Sequence, residues 1–153
     1  MKNHYQNLFE FNDWANSKII SVLEKVNFDD KKTLKILSHI ISTQDTWLER
    51  LKQTPNYSMD IWEVYSLQEI NILSKNSYDS WQKFIRKLSN KTIQNNCIYK
   101  NSKGKKYSNS YTEIMEHVIN HSTYHRGQFN LLLGEQKFDP IAVDYFIFLR
   151  EKG

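Results

Sequence analysis

The sequence predicts an all-α fold: a four-helix bundle carrying a small β-hairpin inserted before its last long helix. Three observations point there. Four stretches repeat apolar residues at spacings of three and four, the period of an amphipathic helix. Four Gly and two Pro in 153 residues leave little turn material for a many-stranded sheet. Four Trp, nine Tyr and eight Phe provide the apolar mass a real core needs, and a disordered chain lacks it. The length fits one domain spanning 1–153, with no internal repeat, low-complexity tract or linker.

The first helix is expected from about Tyr5 to Leu23, where Leu8, Phe9, Phe11, Ala15, Ile19, Val22 and Leu23 recur helically. NFDD then supplies turn and cap residues for a second helix, about Lys32 to Leu51, with Leu34, Leu37, Ile41, Leu48 and Leu51 on its stripe. KQTPNYSMDIWEVY holds Pro55 and reads as a loop. A third helix follows from about Ser66 to Leu88 on Leu67, Ile70, Trp81, Phe84 and Leu88, with polar Ser74 and Ser77 in its middle. Two β-prone runs, Ile98-Tyr99 and Lys106-Tyr107, flank Ser102-Lys103-Gly104 and suggest the hairpin. The fourth helix opens on Ser110-Tyr-Thr-Glu113, which has the form of a capping box, and should run to about Leu133 and stop at Gly134. A last apolar segment, Ala142 to Arg150, follows Asp139-Pro140.

Charge and composition exclude several function classes. Twenty-one Lys and Arg against 17 Asp and Glu give +4, but the cations are scattered, the tightest group being Lys103, Lys105 and Lys106. Without an Arg stripe interleaved with aromatics, no nucleic-acid partner is expected. A single cysteine, Cys97, excludes an internal disulfide and fits a reducing compartment. With no apolar leader and no run of 18 apolar residues, neither secretion nor a membrane partner is expected, and the reading is a cytoplasmic protein. The four Trp, at helical spacing, read as core.

The segment HVINHSTYHRGQ, residues 117–128, carries three histidines at a strict spacing of four. Advancing at about 100° per residue from Ile114, Val118, Phe129 and Leu132 fall within roughly 60°, and His121 and His125 within roughly 20°. Both therefore read as lying inside the apolar stripe, with His117 at its edge and Gln128 roughly 40° away. His117 and His125 are separated by roughly 12 Å of rise, too far to share one ion comfortably. The chelating pair is therefore His117 with His121 or His121 with His125, and burial favours the second.

Buried imidazoles need partners for both ring nitrogens, and two adjacent ones resist becoming charged. A divalent metal answers both demands, since it binds the neutral rings. A third ligand is needed, and His39, at the margin of the second helix's apolar stripe, is the candidate. His4 sits near the ragged N-terminus and Cys97 in the polar hairpin region, so both are set aside. Gln128 shares the ligand face and could hydrogen-bond a ligand ring. Arg126 points about 100° from His125 and reads as structural or interfacial.

HVINHSTYHRGQ followed by FNLLL, then Asp144 to Glu151, resembles the DinB family of small bacterial four-helix-bundle proteins. The likeness extends to Trp14-Ala15-Asn16, Leu37-Ser-His39, Trp47-Leu-Glu-Arg50 and the SKGKKYSNS hairpin, so it covers nearly the whole chain. The resemblance implies a three-histidine divalent metal site with one ligand from the second helix and an i, i+4 pair from the fourth. Carried over position by position, these are His39, His121 and His125. It also implies nickel or zinc as the usual metal, with iron admissible, a homodimer, and a small-molecule substrate in chemistry that uses low-molecular-weight thiols. Most members have no assigned reaction, so no catalytic residue follows.

Three neutral ligands leave at least one coordination position open, the pattern of catalytic zinc, whereas structural zinc sites normally have four protein ligands. The expectation is a metal-dependent enzyme, a thiol-dependent transferase or related catalyst. The alternative is a non-catalytic, stress-induced, metal-binding dimer. No HExxH is present, which argues against a metalloprotease.

Overall fold

The computed structural model describes residues 1–101 and 103–153. Its elements are α1 (Lys2–Lys25), α2 (Lys31–Lys52), α3 (Leu67–Lys87), a short 3-10 turn (Thr92–Gln94), β1 (Asn96–Lys100), β2 (Lys106–Ser110), α4 (Tyr111–Glu135) and α5 (Tyr145–Lys152). The expected four helices and hairpin are all present, and the fold is mostly helical. α1 packs chiefly against α3, and α2 against α4 and α3. α5 returns along α1, where Phe148 meets Phe11 and Trp14.

Local chemistry sets the boundaries. Asn27 takes a left-handed conformation (φ 48°) after α1, and the Asp30 side chain accepts from the Thr33 N–H to start α2. Ser66 with Glu69 and Ser110 with Glu113 each close a full capping box at the starts of α3 and α4. β1 and β2 pair antiparallel with Tyr99 opposite Tyr107, and Gly104 in the connection has φ 77°, which suits a residue without Cβ. Of the expected turn Ser102-Lys103-Gly104, Ser102 lies outside the described residues.

One boundary and one core assignment need correction. α4 passes through Gly134 to Glu135, and the left-handed residue that follows is Lys137 (φ 65°), because Gly134 keeps helical backbone. The last apolar segment forms a helix from Tyr145, and Ala142 and Val143 precede it outside any helix or strand. Val22, assigned to the core stripe, is exposed, and Leu132 is only half-buried.

The core divides into two apolar clusters along the bundle. Ile19, Leu37, Ile41, Ile70, Phe129 and Leu133 belong to one. Phe9, Leu48, Trp81, Ile85, Ile114 and Val118 belong to the other. Between them every long helix contributes buried polar residues: Asn12 and Asn16 from α1, Ser42 and Gln44 from α2, Ser74 and Ser77 from α3, Ser122 and Arg126 from α4. Within this layer Arg126 donates to Asn12 Oδ1 (2.6 Å), Asn16 Oδ1 (3.2 Å) and Thr123 Oγ1 (3.0 Å), and Asn12 donates to Gln44 Oε1 (2.9 Å). Among the described residues no helix is long and apolar enough to cross a membrane.

Candidate metal centre

His39 comes from the middle of α2, where every residue from Leu37 to Gln44 is buried. A helix covered on all sides must be enclosed by neighbours. α3 and α4 cover two sides, and the loop after α2 covers another by returning Ile61 and Tyr65 onto it. His121 and His125 sit one turn apart on α4, both half-buried, and face His39. Ring centroids are 5.0 Å apart for His39–His121, 4.7 Å for His39–His125 and 4.3 Å for His121–His125. One nitrogen from each ring lies within 4.8 Å of the other two, and the group could hold a metal ion.

The hydrogen bonds fix which nitrogen is free. His39 Nδ1 lies 2.8 Å from the Ile61 carbonyl oxygen, which can only accept, so Nδ1 carries the proton and Nε2 keeps its lone pair. His125 repeats the arrangement with Gln128 Oε1 at 2.7 Å. His121 Nδ1 is buried without a partner in the protein, an unpaired polar atom beside two prepared rings. Burial pushes the His121 imidazolium down to about 3, and the neighbouring His125, His39 and His117 add to it. His39 is also lowered by burial, which outweighs the opposing Ile61 carbonyl. These two rings are therefore neutral at physiological pH, the form that ligates.

Trp62 stacks on the outer face of His39, with centroids 3.9 Å apart and planes 4° from parallel. The core reading of the tryptophans survives for Trp81, which is fully buried. Trp62 is 48% exposed, and Trp14 and Trp47 are half-buried at the edges of cavities.

The helical wheel of α4 needs a correction of phase. The buried face runs through Met115, Val118, Ser122, Arg126, Phe129 and Leu133, centred roughly 80° from Ile114. His121 and His125 therefore stand at the border of the core rather than inside its stripe. Arg126, offset from them as expected, points into the bundle and is structural. Burial lowers its guanidinium to about 10, so it stays charged at neutral pH. His117 is exposed, packs on Trp47 (5.1 Å) and stays outside the nitrogen cluster. His4 is exposed beside Tyr5 at the start of α1. Cys97, expected in polar surroundings, is buried, its thiol donating to the Arg50 carbonyl oxygen (3.3 Å), and burial raises its pKa.

Sequence reasoning missed Ile61 and Trp62. A backbone carbonyl leaves no side-chain signature, but a tryptophan in a Pro-containing loop outside any helical period was a usable signal.

A family model described as the DinB family matches residues 1–152. A curated relative, "Protein DinB" of Bacillus subtilis (strain 168), is 23% identical over 157 residues, covering 93% of this chain and 91% of the relative.

Proposed function

The chain belongs to the DinB family, and from that premise we propose that it is a divalent-metal-dependent enzyme whose ligands are His39, His121 and His125. One observation carries the reading: three rings converge, two of them turned by carbonyl acceptors so that Nε2 is the free lone pair. That arrangement is what an ion-ligating histidine with its usual outer partner looks like.

Each residue around the cluster has a task. The Ile61 carbonyl and Gln128 Oε1 hold two rings in one tautomer and one orientation. Trp62 covers His39 and keeps water from that face. His121 remains neutral because its surroundings disfavour a second charge, so a proton competes poorly for its lone pair. Among the described residues no fourth side chain joins the group, as a closed structural site would require. When bound, a divalent ion with three neutral ligands keeps its +2 charge and an open position, favouring an incoming anion such as a thiolate and acidifying a thiol or water held there. Nickel and zinc both suit imidazole, as does iron. Thiol-dependent transfer is therefore the reaction class we assign, with a small molecule as substrate.

Elemental analysis of untagged protein tests the reading. About one divalent ion per chain is expected, lost in each of His39→Ala, His121→Ala and His125→Ala. A folded wild type that takes up no nickel, zinc or iron on dialysis would refute it.

A further inference from the structure

Beside the histidine cluster lies a second feature that the metal site does not account for. A cavity of about 990 Å³ runs between α2, the loop after it and β1. Its near end is formed by Thr43, one turn beyond His39, and by Ile61, whose carbonyl holds His39. Its far end is formed by Trp47, Arg50, Tyr99 and Lys100. The histidine cluster is linked to Trp47 in the far end by side chains in series: His121 meets His117 (5.6 Å), and His117 meets Trp47 (5.1 Å).

The Arg50 guanidinium packs against an edge-to-face aromatic pair, Trp47 and Tyr99 (centroids 4.9 Å apart), at 4.5 Å from the Trp47 ring centroid and 5.2 Å from that of Tyr99. Among the described residues no carboxylate pairs with it, and no hydrogen bond engages its N–H groups. The neighbouring acid in the cavity, Glu49, is already paired with Lys52 at 2.7 Å. Lys100 adds a second positive charge to the same wall. The Thr43 hydroxyl, at the near end, is buried without a partner. A guanidinium resting against two perpendicular rings has one side covered and turns its other N–H groups to the cavity, where its planar fork matches a carboxylate bidentately. Arg50 lies eleven residues along α2 from His39, roughly 16 Å of rise, but its guanidinium rests on Trp47, which is eight residues and roughly 12 Å from His39. Helical side chains lean toward the N-terminus, which carries the Arg50 fork back toward the histidines.

Resting on the metal reading above, we infer that Arg50 is the anchor for a carboxylate at the far end of the substrate, whose reacting group lies at the histidine cluster. The substrate class is a small organic acid or carboxylate-bearing thiol whose two functional ends lie roughly 10 Å apart.

The probes are mercaptohexanoate and its neutral counterpart mercaptohexanol, titrated by calorimetry into the protein as purified, with hexanoate and hexanol as thiol-free controls. The wild type should bind mercaptohexanoate about tenfold more tightly than mercaptohexanol, the scale of one charge-assisted hydrogen-bonded pair. Arg50→Gln should bind both equally, at the affinity the alcohol has for the wild type, while its metal content stays that of the wild type. The Arg50 Nε–H resonance should move on adding the acid and stay in place with the alcohol. Equal binding of acid and alcohol by the wild type would overturn the inference without recourse to any variant, as would a preference that survives in Arg50→Gln. Failure of the metal reading is read separately. Protein that holds no ion, yet prefers hexanoate to hexanol through Arg50, keeps the anion subsite and removes the metal beside it.

Discussion

Gln128→Ala is the perturbation that isolates metal-site preparation from ligand removal. Gln128 Oε1 accepts from His125 Nδ1–H at 2.7 Å, a short contact for a neutral pair. The equivalent acceptor for His39 is the Ile61 backbone carbonyl, which no side-chain substitution removes. Gln128 is thus the one outer partner that mutation can delete cleanly. Its loss frees the His125 ring to turn and to place its proton on Nε2, both of which cost metal affinity. Outer partners of ligating histidines are typically worth 10–100-fold in affinity, or about 1.4–2.7 kcal/mol. Gln128 is half-buried, so water replaces part of the bond and the lower half of that range is expected.

The assay is competition for the ion against a chelator of known affinity, near neutral pH, on wild type, Gln128→Ala and Gln128→Glu. The alanine variant should weaken binding by about tenfold, and the glutamate variant, a stronger acceptor, should keep or tighten it. Fold stability without metal should change by less than about 1 kcal/mol, because no core contact is lost. An alanine variant that binds as the wild type does would refute the claim that Gln128 sets the His125 tautomer.

Two further outcomes follow from the polar interior. Burial pushes the Asp45 carboxyl up to about 6, so its ionised form is penalised in the folded state at neutral pH, and that penalty fades as pH falls through about 6 toward the unfolded carboxylate value. Asp45→Asn should therefore raise stability by about 1–2 kcal/mol above about pH 7, after allowance for its partial exposure, and by nothing near pH 4; urea titrations at both pH values showing no differential gain would contradict it. Asn12→Ala removes the 2.6 Å acceptor of the buried Arg126 guanidinium and should cost about 1.5–3 kcal/mol, and a urea midpoint unchanged from the wild type would show that the charge is satisfied otherwise.

Features governed by neighbours in sequence were legible, and features governed by return of the chain were not. Asp30, Ser66 and Ser110 announce the starts of α2, α3 and α4 because a capping side chain bonds to an N–H three residues on. His121 and His125 were legible as a pair because four residues is one turn. His39 could be nominated as a margin residue of α2, but its approach to the pair depends on how α2 and α4 pack. The Ile61 carbonyl and the Trp62 stack belong to a loop whose path follows from long-range contacts, and Arg50's place in a cavity depends on β1 arriving opposite it.

The phase error on α4 has a physical cause that bears on function. Pattern reading scores Ser122 and Arg126 as polar and so moves the apparent stripe toward the face where only aliphatic residues remain, the face of Ile114 and the histidines. In the bundle those two residues are buried, because Asn12, Asn16 and Gln44 satisfy or accompany them in a layer that also takes in Ser74 and Ser77. Had the aliphatic stripe been the buried one, His121 and His125 would be sealed in the core, where neither an ion nor a substrate could reach them. Turning α4 by roughly 80° brings the polar layer inward and leaves the histidine pair at its rim, half-buried and opposite a buried His39. A buried Arg126 without a carboxylate is costly to the fold. Its position is what holds α4 in the rotation that opens the histidine cluster on one side and closes it on the other.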